Sequence, residues 1–181
     1  MSAGRALINS RDLLESMGIH RGQTVADFGC GSTGHLAFPA SWMVGEDGQV
    51  YAIDVNKSTL AQLAGHAPHA RAVNVTPTWG NVEMLGGSGL KDSSVDHAVC
   101  MNNLWCMDDY ETMLSEMKRV LRPDGSGYLV DWSKGNRHPA SPAYSDQAAL
   151  RDVSWFLQQL GVEHKEIYVG PHHWGLRLNF S

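Results

Sequence analysis

Val25-Ala26-Asp27-Phe28-Gly29-Cys30-Gly31-Ser32-Thr33-Gly34 decides the fold of this 181-residue chain. A short apolar stretch, broken by one acid, runs straight into a turn that holds Gly29, Gly31 and Gly34. This is the pattern of a strand passing into a turn whose backbone must reach left-handed angles. Val50-Tyr51-Ala52-Ile53-Asp54 answers it, a second apolar strand that ends on a lone carboxylate. Strand, glycine turn and strand-end acid together imply a crevice for a nucleotide-like ligand. The glycines let backbone approach the ligand closely, and Asp54 is placed to accept hydrogen bonds from a ribose diol.

Outward from that stretch, strand-like and helix-like segments alternate. Residues 5–17 carry Leu7, Leu13, Leu14 and Met17 at helical spacing, and Gly18 stops them. Strands are expected at 24–28, 49–54, 70–75, 95–101 and 127–132. Between them, Pro39 suits the first turn of a helix ending at Val44, and Asn56 or Ser58 caps a helix through Leu63 that His66-Ala67-Pro68-His69 ends. Asp108 or Asp109 caps another from Tyr110 to Leu121, stopped by Arg122-Pro123-Asp124-Gly125. Residues 133–144, with Pro139 and Pro142, read as a mobile loop, and 145–160 as the last helix. Strands at 162–169 and 174–180 close the chain. Too few residues join that last pair for a crossover helix, so the two must form an antiparallel hairpin. The fold class is α/β: a doubly wound, mostly parallel, seven-stranded sheet in one domain spanning 1–181, with an N-terminal helix in 1–20.

Composition sets the surroundings. Hydrophobic residues make up 43% of the chain and no apolar run approaches membrane-spanning length, so a soluble globular domain is expected. Arg5, Arg11, Asp12 and Glu15 interrupt any signal-peptide core. Three cysteines, Cys30, Cys100 and Cys106, form neither a disulfide framework nor a metal pattern, which favours a cytoplasmic setting. A net charge of −5 without a Lys/Arg run disfavours sequence-independent nucleic-acid binding. Nine histidines are scattered without carboxylate or cysteine partners at ligand spacing, so no metal is expected.

A doubly wound sheet closed by one antiparallel strand resembles the class I S-adenosylmethionine-dependent methyltransferases, in particular the small single-domain bacterial and archaeal members. Asp27-Phe28-Gly29-Cys30-Gly31 is similar to that superfamily's first motif, and Asp54 to the acid ending its second strand. Gly80-Asn81-Val82-Glu83-Met84-Leu85 resembles its loop after the third strand, and Leu121-Arg122-Pro123-Asp124-Gly125-Ser126-Gly127 the turn into its fifth. Gly29 to Gly34 alone also satisfies the G-x-G-x-x-G of NAD-binding proteins. Asp27 separates the two, because a dinucleotide fingerprint keeps the strand before its glycines apolar.

The resemblance implies S-adenosyl-L-methionine as cofactor and assigns residues to it. Asp27 would hold the methionine amine, Gly29, Cys30 and Gly31 would line the backbone, and Asp54 with Val55 would meet the ribose end. Asn81 stands where an aspartate often contacts adenine, with Val82 beside it, and Asn102 would face the methionine portion. Asn102-Asn103-Leu104-Trp105 is not the Asn-Pro-Pro-Tyr of enzymes that methylate amides and base amines.

Acceptor residues are read from topology, since ligands of open α/β sheets bind beyond the carboxyl ends of the strands. Trp79, Trp105, Trp132 and Trp174 all map to that edge, and Trp105, Trp132 and Trp174 are the expected substrate contacts. They suit a small aromatic, apolar or cationic acceptor. His172 and His173 in the hairpin are the general-base candidates, with Asn102 as a further catalytic candidate. Asp131, beside Trp132 at the same edge, could pair with a cationic group. No loop is long enough for a lid domain, so the acceptor site is shallow or completed by a partner subunit, for instance in a homodimer. A cofactor-binding partner without activity and a nicotinamide-dependent oxidoreductase are the competing readings.

Overall fold

The computed structural model describes residues 8–135 and 137–180. The part of the expected N-terminal helix that falls on residues 5–7, Leu7 included, lies outside them. Within them, α1 (Ser10–Ser16) begins at Asn9, whose side chain accepts from the backbone N–H groups of Arg11 and Asp12. Then follow β1 (Thr24–Phe28), α2 (Ala37–Val44), β2 (Gln49–Asp54), α3 (Lys57–Ala70), β3 (Val75–Trp79) and β4 (Val95–Met101). A 3-10 turn at Leu104–Cys106 precedes α4 (Tyr110–Val120), β5 (Leu121–Trp132), α5 (Leu150–Gln159), β6 (Glu163–Ile167) and β7 (His173–Asn179).

The seven strands form one sheet in the order β3-β2-β1-β4-β5-β7-β6. All pairs from β3 to β5 are parallel, β7 runs antiparallel to β5, and β6 runs antiparallel to β7. Two reversals leave β6 parallel to the first five strands. The β6–β7 turn therefore emerges at the same carboxyl edge as the glycine turn after β1.

Strand alternation gives the sheet two buried faces. On one, Val25, Val50, Val99, Tyr128 and Val130 pack with Leu14, Leu36 and Leu63 from α1, the α2 cap and α3. On the other, Phe28, Ile53, Leu129, Leu176 and Trp174 pack with Met113 and Met117 of α4 and Leu157 of α5. Near-continuous burial along β1 and β4 is what a parallel sheet covered on both faces requires.

Four elements, α3, β3, β5 and α5, differ from the sequence expectation by more than two residues. α3 runs through Pro68 to Ala70, because a proline so near the C-terminus removes a single helical hydrogen bond. Left-handed Arg71 then ends it, donating back to the carbonyls of Ala67 and Pro68. The third strand is accordingly Val75–Trp79 and not 70–75, and Trp79 lies in it, opposite Asp54. The Arg122–Gly125 turn is absorbed into β5 as an irregularity of the ladder between Val95 and His97. α5 starts at Leu150 and not at 145. Gln147 is the cause: its buried side chain accepts from Gly135 N–H and donates to Pro142 O, which holds the preceding segment in loop form.

Candidate active site

The glycine turn is held open by backbone geometry. Gly29, Gly31 and Gly34 have φ of 79°, 62° and 62°, angles that other residues adopt only with strain. The N–H groups of Gly29 and Cys30 both donate to Ile53 O at the end of the β1–β2 ladder. A Cβ on Gly29 would collide with the Asn103 side chain, which donates to the carbonyls of Phe28 and Gly29. The turn after β1 is thus tied to β2 on one side and to the end of β4 on the other.

Two carboxylates face this turn. Asp54 accepts from Gly31 N–H at 3.2 Å and from Asn56 N–H at 2.9 Å, and each oxygen keeps a lone pair for a ligand. Asp27 is 2% exposed, and its Oδ2 has no hydrogen-bond partner. Burial, with the Asp54 charge adding to it, pushes its carboxyl up to about 7. A buried acid with an orphaned oxygen is expensive in an isolated domain. It becomes favourable when a cationic group is bound beside it.

Other cofactor candidates fall around the same turn. Cys30 is buried, and burial together with Asp27 and Asp54 raises its thiol far above the usual range, which makes it an inert packing residue. Val55 is exposed and its carbonyl accepts from Trp79 Nε1 at 3.0 Å. Asn81 uses its side-chain oxygen to accept from Glu83 N–H, forming a local turn that buries Val82. Asn102 has φ 58°, a left-handed angle, and its Oδ1 is buried without a partner.

The acceptor residues separate. Trp132 and His173 are opposite one another on β5 and β7, with ring centroids 4.1 Å apart. His138 lies nearly parallel to Trp132, at 5.9 Å and 16°, and His172 is 6.1 Å from His138. Trp174, one residue on from His173, points to the other face of the sheet. It is 6% exposed among the side chains of α4 and α5 and donates to Ala148 O. The structure therefore does not bring Trp174 together with Trp132, because adjacent strand residues face opposite sides. Trp105 is half exposed and donates to Asn102 O, and Trp79 stands under Lys57 Nζ at 4.2 Å.

Asp131 is not open to a cationic group. It is fully buried, accepts from the N–H groups of Leu104 and Trp132, and is pushed up to about 6 by desolvation. Its role is to bind the β4–α4 turn that carries Trp105 to the end of β5, a role that no local pattern in the sequence announces. Among the described residues, no group of three or more His, Cys, Asp or Glu side chains could hold a metal ion, and no helix is long and apolar enough to cross a membrane.

Against known families, residues 25–125, more than half of the chain, match the model described as a methyltransferase domain. The chain belongs to the methyltransferase-domain family. This methyltransferase domain superposes on the crystal structure of an S-adenosylmethionine-dependent methyltransferase from Aquifex aeolicus with a TM-score of 0.86 at 25% identity, covering 98% of this chain and 93% of that one. An arsenic(III) S-adenosylmethionine methyltransferase from Chlamydomonas reinhardtii matches with a TM-score of 0.69 at 26% identity, over 90% of this chain and 64% of that one. Among curated proteins, the ubiquinone/menaquinone biosynthesis C-methyltransferase of Serratia proteamaculans is 35% identical over 146 residues, 80% of this chain and 56% of that one. The chain thus spans little more than half the length of the curated relatives it matches.

S-adenosylmethionine is the cofactor of this family. The residues present fit it. Its α-ammonium group would meet the orphaned Oδ2 of buried Asp27, its ribose the remaining lone pairs of Asp54, and the positive-φ glycines would leave room for its amino-acid chain.

Proposed function

We propose that this methyltransferase domain transfers a methyl group from S-adenosylmethionine to a small, flat, aromatic or apolar acceptor at the carboxyl edge of the sheet. The observation that carries the reading is Asp27: a buried carboxylate with one oxygen unpartnered, beside Asp54 and a left-handed glycine turn.

The cofactor supplies a methyl group already activated on a positively charged sulfur, so the protein needs little more than placement and dryness. Asp27 would anchor the amino-acid end and Asp54 the ribose, fixing the direction in which the methyl points. Asn102, held in its left-handed conformation by Asn102 N–H donating to Val130 O, would line the methionine portion. Trp105 would flank this place from the end of β4, and the Trp132–His173 pair from the end of β5 and the start of β7.

His173 is a poor proton store, since burial and the neighbouring imidazoles hold it down to about 4. His172, next to it in the turn, is the proton acceptor for an acceptor group that arrives protonated.

Calorimetric titration with S-adenosylhomocysteine and with NAD tests the cofactor, and methyl transfer from isotopically labelled S-adenosylmethionine into a library of small aromatic compounds tests the activity. Binding of NAD without binding of S-adenosylhomocysteine overturns the reading. Cofactor binding without labelled product across the library favours an inactive partner subunit instead.

A further inference from the structure

A cavity of about 350 Å³ lies between α4 and α5, a size typical of small-molecule sites. Its floor is apolar, made by the buried side chains of Leu104, Leu129 and Leu157. Met113 and Leu114 of α4 form one wall, and Val153 and Phe156 of α5 the other. The polar groups along it are already engaged. Tyr110 Oη donates to Leu104 O at 2.6 Å, and Ala148 O accepts from Trp174 Nε1. The Gln147 side chain accepts from Gly135 N–H and donates to Pro142 O. Among the described residues, no orphaned buried polar atom belongs to its lining. Such a cavity gives water too few partners and favours an apolar guest.

Topology fixes where the cavity lies. Leu104 follows β4 and Lys134 follows β5, while Tyr110 and Ala149 stand at the N-terminal ends of α4 and α5. All four belong to the carboxyl edge of the sheet, where the glycine turn also emerges. Leu104 itself sits in the turn that carries Asn102 and Trp105. The shape of the guest follows from the lining. It runs along α5 from Ala149 to Leu157, about 12 Å at 1.5 Å per residue. At about 30 Å³ per heavy atom, the volume admits roughly a dozen atoms. Tyr110 and Phe156 already meet edge to face, with centroids 6.4 Å apart at 71°, and offer no parallel faces to sandwich a ring. At the rim, Lys134 and Asp152 are exposed and opposite in charge, so a polar end left there needs no particular sign.

We infer that this cavity binds the unbranched hydrocarbon chain, about ten carbons long, of a small amphipathic molecule whose polar end stays at the rim. As the tail site of the methyl acceptor it rests on the methyltransferase reading; as a site for the chain it does not.

The test is calorimetric titration of the full chain with the linear alcohols butanol, hexanol, octanol and decanol, with and without saturating S-adenosylhomocysteine. Kd should fall about fourfold for each added methylene up to decanol. Adamantanol, which folds the carbons of decanol into a ball, should bind about tenfold or more weakly than decanol. Val153→Trp fills the cavity from its α5 wall. It should weaken octanol and decanol binding by about tenfold or more and leave S-adenosylhomocysteine affinity unchanged. Ala149→Leu narrows the cavity from the sheet edge with a smaller insertion, and serves if the tryptophan variant does not fold; it should weaken decanol binding by about threefold or more. A Kd independent of chain length overturns the inference, as does adamantanol binding as tightly as decanol, or a folded variant that binds decanol as the parent does. Failure of S-adenosylhomocysteine to bind the unaltered protein overturns the methyltransferase reading instead, and the chain-length series measured without it leaves the site standing.

Discussion

Replacing Asp27 by Asn should stabilise the ligand-free protein and cripple it at the same time. In the folded chain the Asp27 carboxyl lies at about 7, against an ordinary value of 3.8, because burial and the Asp54 charge disfavour ionisation. An acid raised in this way contributes stability that is fully present below its unfolded value and is lost as pH rises through the folded one. At 1.36 kcal/mol per pH unit, the loss accumulates between pH 4 and 7 to about 4 kcal/mol and then levels off. Asn removes the charge but brings an amide N–H that must itself be accommodated, so roughly half of that, about 2 kcal/mol, should appear as a gain. For a domain of this size that is a rise in Tm of about 4–8 °C at pH 8, shrinking as pH falls toward 4.

Cofactor affinity should move the other way. Removing one charge from a buried pair costs about 3 kcal/mol, on the order of 100-fold in Kd for S-adenosylhomocysteine. The parent protein should also lose affinity by about tenfold per unit below pH 7, as Asp27 takes up a proton, whereas Asp27→Asn should be flat over that range. Differential scanning calorimetry and titration calorimetry between pH 5 and 8 read both effects. A variant that is less stable at pH 8 and binds S-adenosylhomocysteine as the parent does would refute the assignment of Asp27.

Three further outcomes follow from the geometry. Glu116 is fully buried, accepts from the Gly86 and Ser88 N–H groups, Ser88 Oγ and Arg119, and is held down to about 2. Its contribution of about 3 kcal/mol is present above pH 4.5 and is lost as pH falls toward 2, so Glu116→Gln should destabilise at pH 7 and converge with the parent in urea titrations near pH 2. Gly29→Ala combines a left-handed angle with a collision against Asn103, and should cost about 2 kcal/mol in chemical denaturation and weaken S-adenosylhomocysteine binding by displacing the turn. Asp131→Asn keeps one acceptor oxygen for two buried N–H donors, and should lower stability by about 1–3 kcal/mol, with faster amide exchange at Leu104 and Trp132 as the local signature.

The first half of the fold was legible because its signals are local. Apolar runs of strand length, the glycine turn and Asn56 as a cap each act on their own neighbours, and β1, β2 and α3 begin where those residues place them. The antiparallel end was legible from chain length alone, since a handful of residues between β6 and β7 cannot cross the sheet. The misses were nonlocal. Pro68 reads as a terminator, yet the carbonyl contacts of Arg71 set where α3 stops. Trp132 and Trp174 share an edge in the sequence reading, and only the pairing of Trp132 with His173 shows that Trp174 faces the other side. Asp131 looks available until the N–H of Leu104, far from it in sequence, is seen to occupy it. Glu116 looks like a solvated helical acid until the 86–90 loop closes over it.

The place of β7 also orders the assembly of the molecule. It sits between β5 and β6 in the sheet although it follows both in the chain. β6 has no partner but β7, so it joins the sheet only through the contact of β7 with β5. The β1–β2 and β1–β4 contacts that fix the cofactor end need none of this. Until β7 docks, β5 has an open edge beside a complete glycine turn, and His173 arrives with the strand that closes it. In such a chain, sequence changes in β7 should act first on how fast the last two strands zip, and a slow late phase confined to probes in β6 and β7 is the kinetic trace to look for.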